Sequence, residues 1–437
     1  MPNLLSHKKK DIKKLSFLIY GLGSTGRSVI TYFKKRKVKK YFVWDDNRKL
    51  RKKFFSNKNN LNLTHALKEV DYIVLSPGIS LKKTKYKRKL RKYKKKIITD
   101  IDLLYLSNQK FKSIVVTGSN GKSTTCKIIA HLLKKNNYNV KLGGNIGTPV
   151  LNLRVMKNIF FIIEASSFQL SHSKFIHPDY AILLNVSNDH LDWHGSMNHY
   201  IESKLKIFKL QKKNNFALIN DNFKDVFKAE KYLGNLTLIK SREYKKIKLK
   251  IKNHYLKSRI NDENMTFVYT IAKLLKISDN HFLNSIKTFE GLPHRHEIFL
   301  QKKDVIFIND SKATNFEASK FALASNKNIY WILGGLPKDK DKIDLKHIKN
   351  NIIKSYIIGK SINFFKKQLK KNQIKFDITK NLKNSIAKIL KDIRFSEKKT
   401  ITILFSPCAA SFDQFKNFEI RGNEFKKLSR MYAKKII

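Results

Sequence analysis

The chain has 437 residues, enough for about two to four domains with sizeable hydrophobic cores. Hydrophobic residues make up 41% of it, and no long segment lacks apolar periodicity, as is typical of a globular protein. The formal net charge of +59 would suit a nucleic-acid or anionic-surface binder. The lysines are spread along the whole chain without a nucleic-acid-binding motif, so we interpret them as solvated surface residues and expect no specific nucleic-acid partner.

The cysteines and the N-terminus exclude two further classes of protein. Cys126 and Cys408 are the only cysteines, and their wide separation fits neither a disulfide framework nor a zinc site. The N-terminus is rich in lysine but lacks the apolar core of a signal peptide, and no window reaches 18 apolar residues. We therefore expect a soluble, cytoplasmic protein without membrane insertion. We also expect a monomer.

The first motif is a glycine-rich turn after a predicted strand over residues 15–20. Gly21, Gly23 and Gly26 have the G-x-G-x-x-G spacing, and a helix and a second strand follow, ending at Asp45. This is the arrangement of a dinucleotide-binding fingerprint. Three interpretations stay open: an NAD or FAD site as in a dehydrogenase, tight packing without a cofactor, or a nucleotide-linked substrate in the same crevice.

A phosphate-binding loop is predicted at residues 117–125. An apolar, β-branched run precedes it, and an apolar helical pattern follows it. Glycines allow the backbone N–H groups to converge on phosphate oxygens, Lys122 can bind the β- and γ-phosphates, and Ser123 can bind Mg²⁺. Val116 stands where the usual motif has its first glycine. The alternative is an ordinary strand–helix turn that contains a lysine.

Polar residues follow several other predicted strands. Glu164 ends an apolar strand next to the phosphate loop, a position that suits Mg²⁺ coordination, and residues 185–194 form a polar loop after another strand. A helix over residues 200–208 carries lysines that the pattern predicts to be solvated. The basic, alternating residues 230–257 predict short strands, and residues 266–275 predict an amphipathic helix.

The remaining predicted strands alternate with helical patterns, which predicts the α/β class. Their residues are 41–44, 70–75, 97–100, 138–142, 159–163, 180–184, 216–221, 305–308, 329–333, 356–358 and 401–405. Polar residues at strand ends are typical of open parallel sheets that bind ligands there. We predict three domains, over residues 1–110, 111–291 and 292–437.

Several of these segments resemble motifs of the Mur ligases. They are residues 117–124, 185–194, 292–295 and 309–315, and the resemblance extends from residue 21 to residue 422. Residues 143–147, 164–170 and 411–422 resemble most closely the branch of the family that adds D-glutamate. The resemblance implies a Rossmann-like UDP-binding domain, a central P-loop-type ATPase domain with a mostly parallel sheet, and a C-terminal Rossmann-like domain.

The resemblance also implies a reaction in peptidoglycan precursor synthesis. ATP, with Mg²⁺, phosphorylates the carboxylate of UDP-N-acetylmuramoyl-L-alanine, and the amine of D-glutamate then attacks the acyl phosphate. The alternatives within the family are a different acceptor amino acid or the addition of glutamate to folates. An NAD-dependent dehydrogenase remains the alternative that the first glycine turn alone would favour.

Matching positions imply the roles of individual residues. Those implied for ATP are Gly118, Ser119, Asn120, Gly121, Lys122, Ser123, Thr124, Asn264, Arg295, Asp310 and Lys312. Those implied for the UDP-linked substrate are Gly23, Thr25, Gly26, Asp45, Ser76, Asn145, Ser166 and Gln169. Those implied for D-glutamate are Thr314, Lys338 (or Lys340 in its place), Ser411 and Phe418. One Mg²⁺ would bind Ser123 and Glu164, and a second would bind His190 and a carbamylated Lys204. The residues expected to act in catalysis are Lys122, His190, Lys204 and Arg295.

Overall fold

The structure is a computed structural model that describes residues 11–54, 62–107, 110–145, 147–187, 190–239, 241–258, 261–338, 342–394 and 400–434. The chain forms two compact units, Met1–Phe289 and Glu290–Ile437. Two sheets lie in the first unit and one in the second, and helices connect mostly parallel strands. The predicted α/β class is therefore confirmed.

The first sheet holds the glycine turn at the carboxyl end of its first strand. The elements around it are β1 (Ser16–Tyr20), α1 (Ser24–Arg36), β2 (Lys40–Trp44), α2 (Arg48–Lys52), α3 (Leu63–Glu69), β3 (Tyr72–Leu75), α4 (Lys87–Lys92), β4 (Ile97–Ile98) and α5 (Asp100–Leu106). The strands are parallel in the order β2-β1-β3-β4. Because β1 is paired on both sides and covered by helices, Phe17, Leu18 and Ile19 are fully buried.

The second sheet holds the phosphate loop. Its elements are β5 (Lys112–Thr117), α6 (Lys122–Lys135), β6 (Asn139–Gly144), β7 (Ile159–Glu164), α7 (Ser167–His172), β8 (Tyr180–Leu183), α8 (Leu191–His194), α9 (Met197–Leu205), β9 (Phe216–Ile219), α10 (Lys224–Ala229), β10 (Asn235–Leu238), α11 (Ser241–Lys248), α12 (His254–Lys257), α13 (Asp262–Leu274) and α14 (Asp279–Lys287). All six strands are parallel, in the order β10-β9-β8-β5-β7-β6. β5 and β7 are adjacent, so the phosphate loop and Glu164 lie at the same edge of the sheet.

The prediction of short strands over residues 230–257 is largely wrong. β10 is a strand, but α11 and α12 follow it. The reason is that Tyr244 and Ile247, three residues apart, share one helix face and are both buried. The lysines between them made the pattern look alternating, although a three-residue spacing fits a helix better.

The two sheets of the first unit share one hydrophobic core. Phe33 on α1 and Leu104 on α5 belong to the same buried cluster as Phe161 on β7 and Val150 in the turn after β6. Hydrogen bonds add to this contact, because Ser173 Oγ donates to Asp102 Oδ1 at 2.6 Å. The first crevice and the phosphate loop are therefore held in one folded unit.

The second unit is a six-stranded sheet with one antiparallel edge. Its elements are β11 (Glu297–Lys302), β12 (Val305–Asn309), α15 (Phe316–Ser325), β13 (Ile329–Gly334), β14 (Ile352–Ile358), α16 (Ile362–Lys371), β15 (Phe376–Lys380), α17 (Leu382–Ile393), β16 (Ile401–Phe405) and α18 (Phe418–Ala433). The order is β11-β12-β16-β13-β14-β15; β11 pairs antiparallel with β12, and the other strand pairs among the described residues are parallel. No helix in the described ranges is both long and apolar enough to cross a membrane.

Candidate functional site

The phosphate loop depends on a glycine at its last position before the helix. Gly121 has φ +80°, and a Cβ there would lie 2.1 Å from Asn264 Oδ1. Any other residue would therefore be strained and would clash with α13. Helix α6 begins at Lys122, so the N–H groups of its first turn are directed toward the loop, where they favour an anion.

Lys122 folds back over this loop. Its Nζ donates to Gly118 O at 2.7 Å and to Ser119 O at 2.8 Å. The ammonium group therefore lies beside the backbone that would surround the β- and γ-phosphates of a bound nucleotide. Asn120 is held from the other side, because its N–H donates to Asn185 Oδ1 at 2.9 Å.

Ser123 and Glu164 form an oxygen-rich pair next to the loop. Ser123 Oγ donates to Glu164 Oε2 at 2.7 Å, and Asn145 Nδ2 donates to Glu164 Oε1 at 2.9 Å. The carboxylate of Glu164 is buried. Hydroxyl and carboxylate oxygens suit a hard cation such as Mg²⁺. Elsewhere, the described residues contain no group of three or more His, Cys, Asp and Glu side chains that could hold a metal. The donor set of this pair thus fits Mg²⁺.

Lys204 differs from its pattern-based prediction, because it is buried rather than solvated. It is only 1% exposed, its Nζ donates to Gly118 O at 2.7 Å, and it lies 4.4 Å from the centre of the Tyr200 ring. Tyr200, one helical turn earlier on α9, also reaches the loop, since its hydroxyl is 2.9 Å from Ser119 Oγ. Helix α9 therefore directs two side chains at the phosphate loop.

His190 lies at the start of α8 in a cluster of aromatic rings. Its backbone has φ +55°, and its ring centre is 4.7 Å from that of Phe168. The pKa of the neighbouring His194 is lowered to about 4, mainly by burial and then by the charges of His190 and Lys204. Shared ring contacts connect the three residues, because the His194 ring centre is 5.8 Å from that of Phe168, which contacts His190, and 5.0 Å from that of Tyr200, which contacts Lys204. Residues 188 and 189 of the predicted polar loop lie outside the described residues.

The first glycine turn is closely packed and is held by the acid after β2. A Cβ on Gly26 would lie 1.9 Å from Gly21 O, so only glycine fits this helix start. The carboxylate of Asp45 accepts the N–H of Leu22 at 2.7 Å. Ser76 Oγ donates to Gly21 O at 2.9 Å. Gly23 is the N-cap of α1, and Thr25 lies in its first turn. The predicted UDP-binding residues of the first sheet are therefore brought together.

Ser166 and Gln169 are engaged in a reciprocal cap of α7. Each side chain bonds the backbone N–H of the other, and Gln169 Nε2 also donates to Asp100 Oδ1 at 3.2 Å. Gln169 is 2% exposed, and burial raises the pKa of Asp100 to about 6. The two residues predicted to contact the substrate thus already have protein partners.

Asp310 is a buried acid of the second unit with a raised pKa. Ser406 Oγ donates to its Oδ2 at 2.6 Å, and His296 N donates to its Oδ1 at 3.0 Å. Burial raises the pKa of Asp310 to about 7, and the hydrogen bonds and the nearby charge of Arg295 oppose this shift. The carboxyl group therefore titrates near neutral pH.

The other residues predicted in the second unit lie after its strands. Lys312 Nζ is 3.7 Å from the centre of the Phe418 ring, a cation–π contact. Ser411 is buried, Thr314 is half-buried, and Lys338 is exposed. Lys340, the alternative to Lys338, lies outside the described residues.

We expect the unfolding free energy of the D310N variant to depend less on pH than that of the wild type. Because the pKa of Asp310 is raised on folding, its contribution is fully present below about pH 4 and is lost as the pH rises to about 7. The difference in unfolding free energy between D310N and wild type, from denaturant titrations across this interval, should therefore shift in favour of the variant as the pH rises. A difference that does not vary with pH would contradict the assigned titration.

The residues that the sequence did not predict are those that support the phosphate loop and have no proposed contact with a ligand. Tyr200 precedes Lys204 by four residues, so the helical spacing alone indicated a shared face. Asn185 was only part of a polar segment, but it bonds both Asn120 and, through Nδ2, Glu263 Oε2 at 2.7 Å. No sequence signal identifies that second contact, because it joins segments 78 residues apart.

Comparisons with known proteins agree on one family. A model described as the Mur ligase MurD-like N-terminal domain matches residues 15–98, and the Mur ligase middle domain matches residues 116–279. The chain is 35% identical to a UDP-N-acetylmuramoylalanine--D-glutamate ligase of Rickettsia felis, covering 99% of both chains, and 35% identical to one of Wolbachia from Brugia malayi, covering 97% of both. Among solved structures, the MurF ligase of Thermotoga maritima in complex with ADP is similar in fold, with a TM-score of 0.56, 17% identity, and coverage of 98% of this chain and 100% of that one.

Proposed function

Since the chain belongs to the Mur ligase family, we propose that it joins D-glutamate to UDP-N-acetylmuramoyl-L-alanine with hydrolysis of ATP, a step of peptidoglycan precursor synthesis. Its substrates are small molecules, and ATP is the phosphoryl donor. The observation that carries the proposal is the convergence of Lys122, Ser123, Glu164 and Lys204 on one phosphate loop. The near full-length similarity to two ligases that are named for D-glutamate supports the choice of acceptor.

The first step transfers the γ-phosphoryl group of ATP to the substrate carboxylate. Two anions must approach each other, so concentrated positive charge and in-line positioning are required. Lys122 and the loop N–H groups bind the β- and γ-phosphates, and Arg295 spreads positive charge over the transferring group. The P–O bond to ADP breaks as the carboxylate oxygen bonds to phosphorus. The positive field of the whole chain attracts the anionic substrates.

The second step forms the amide bond. The amine of D-glutamate attacks the carbonyl carbon of the acyl phosphate, inorganic phosphate leaves, and the amine loses a proton. We assign Thr314, Lys338, Ser411 and Phe418 to the acceptor, and Asn264, Asp310 and Lys312 to ATP together with residues 118–124. For the UDP-linked substrate we assign Gly23, Thr25, Gly26, Asp45, Ser76, Asn145, Ser166 and Gln169.

We assign Mg²⁺ to Ser123 and Glu164, and a second Mg²⁺ to His190 and to Lys204 as a carbamate. Bound Mg²⁺ supplies charge neutralisation at the phosphate oxygens. An ammonium group cannot bind a cation, whereas a carbamate is a carboxylate analogue. The burial of Lys204 and the position of its Nζ, 2.7 Å from Gly118 O in the phosphate loop, support the assignment. The proposal also includes a monomer in the cytoplasm.

We expect E164Q and S123A each to weaken Mg²⁺ binding at least about tenfold, because each removes one oxygen ligand of a hard cation. Calorimetric titration of Mg²⁺ into the ADP-bound enzyme would measure this without turnover. E202Q is the matched control, since Glu202 is exposed on α9. Unchanged Mg²⁺ affinity in both site variants would remove the pair from the metal site.

The acceptor is tested by phosphate release from ATP and UDP-N-acetylmuramoyl-L-alanine in the presence of single amino acids. The proposal predicts that D-glutamate stimulates release more than L-glutamate, L-lysine, diaminopimelate or D-alanine. If D-glutamate has no effect while another amino acid does, the chain is a Mur ligase with a different acceptor.

A further inference from the structure

Strand β2 ends in two consecutive acids, and the second has no role in the site described so far. Asp45 holds the glycine turn. The carboxylate of Asp46 accepts three other hydrogen bonds, from Tyr20 Oη at 2.5 Å, from Thr84 Oγ1 at 2.7 Å and from Trp44 Nε1 at 3.3 Å. Its three donors come from the end of β1, the end of β2 and the chain that follows β3.

Thr84 belongs to the crevice segment, which we define as residues 76–86 after β3. The segment is fastened at both ends. Near its start Ser76 Oγ donates to Gly21 O at 2.9 Å, and near its end Thr84 is buried and bonded to Asp46. The adjacent acids therefore hold the two sides of one crevice: Asp45 holds the glycine turn, and Asp46 holds the crevice segment.

Loss of the Asp46 carboxylate would remove an acceptor from buried hydrogen-bond donors. Tyr20 is fully buried, and burial together with the bond to Asp46 raises the pKa of its phenol, which keeps it protonated as a donor. Without the carboxylate, the contact left to this hydroxyl among the described residues would be the one with Thr84 Oγ1, at 3.1 Å. Aromatic packing also joins the end of β2 to the crevice segment, because the centre of the Trp44 ring lies 5.4 Å from that of Tyr86 at the end of the segment. Hydrogen bonds to an ionised group are among the stronger ones, so the segment depends on this carboxylate.

We propose that Asp46 is a positioning residue for the UDP-linked substrate, which fixes the crevice segment through Thr84 and so sets the affinity for that substrate alone. The inference rests on the proposed function. Asp46 itself does not need to touch the substrate, since its oxygens are occupied by donors from the protein. Replacing Asp46 would keep the bond between Ser76 and the glycine turn at the start of the crevice segment. It would release the other end of the segment, at Thr84.

The chain contains a matched control at the opposite end of the same sheet. Asp71 accepts the N–H and the hydroxyl of Ser16, both at 2.8 Å, at the amino ends of β1 and β3. It is a structural connection of similar chemistry that lies away from the crevice. A purely structural role for Asp46 predicts that D46A and D71A have the same kinetic consequences.

The experiment measures KM for UDP-N-acetylmuramoyl-L-alanine, ATP and D-glutamate in wild type, D46A, T84V and D71A, with thermal stability measured in parallel. We expect D46A and T84V each to raise the KM for the UDP-linked substrate about tenfold, with little change in kcat or in the other two KM values. D71A should lower stability without this effect. The double variant D46A/T84V should raise this KM by less than the product of the two single increases, because both changes remove the bond between Asp46 and Thr84.

The inference is overturned if T84V, which removes only one hydroxyl from the segment, leaves the KM unchanged, or if D71A raises it as much as D46A does. T84V keeps the test decisive even where D46A folds poorly. Failure of the proposed function would look different, since the wild type itself would then not turn over the UDP-linked substrate.

Discussion

Alanine in place of Lys122 is expected to lower kcat by about 10²- to 10³-fold, the usual cost of removing one preorganised charge from a reacting phosphoryl group. The Nζ of Lys122 lies within 2.8 Å of two loop carbonyls, so its charge is held over the loop before a nucleotide binds. Steady-state ADP release with saturating substrates measures the effect.

The matched control for this change is K134A, which removes an exposed lysine from the last turn of the same helix. It changes the net charge by the same amount as K122A, so the general attraction of anionic substrates falls equally in both. Near wild-type turnover in K122A, or an equal loss in K134A, would contradict the role of Lys122 in phosphoryl transfer.

The second large effect is expected for K204A, which should lose most of the activity and partly regain it with a short-chain carboxylic acid. The physical reason is that the proposed carbamate on Lys204 would act as a metal-binding carboxylate. A small acid would then occupy the space left by the shortened side chain and supply a carboxylate in its place. Activity measured against increasing acid concentration tests this, together with Mg²⁺ titration of the ADP-bound variant.

K209A is the control for K204A, because Lys209 lies four residues after the end of α9 and its side chain is exposed. It should behave as the wild type and should not respond to the acid. Full activity of K204A would remove Lys204 from the site. Loss of activity without any rescue, combined with unchanged Mg²⁺ binding, would leave Lys204 as a support of the loop through its bond to Gly118.

The sequence predicted those parts of the fold where local and tertiary preferences agree. β1, β5 and β7 are apolar runs followed by glycine or an acid, and all are buried interior strands. The edge strands β11 and β15 were not predicted, because they are half-exposed and lack a strong apolar pattern. The error over residues 230–257 has a similar origin, since many lysines obscure a buried helix face that has only two apolar residues.

The candidate site was predictable where its residues belong to continuous motifs. Ser123 lies in the first turn of the helix after β5 and Glu164 is the last residue of β7, and because these strands are adjacent and parallel, the two side chains lie 2.7 Å apart. Lys204 could not be predicted as buried from its pattern, because its partner Gly118 lies 86 residues away in the chain. The role of Asp46 could not be predicted from the sequence either, since two of its donors, Tyr20 and Thr84, lie 26 and 38 residues away in the chain.

The most direct test of the proposed reaction follows oxygen from the substrate carboxylate. UDP-N-acetylmuramoyl-L-alanine labelled with ¹⁸O in both carboxylate oxygens is incubated with ATP and D-glutamate, and the phosphate and the amide product are analysed by mass spectrometry. Activation of the carboxylate by phosphoryl transfer predicts one ¹⁸O in the released phosphate and one in the amide, with release dependent on D-glutamate. Phosphate free of ¹⁸O would contradict an acyl phosphate and the function built on it.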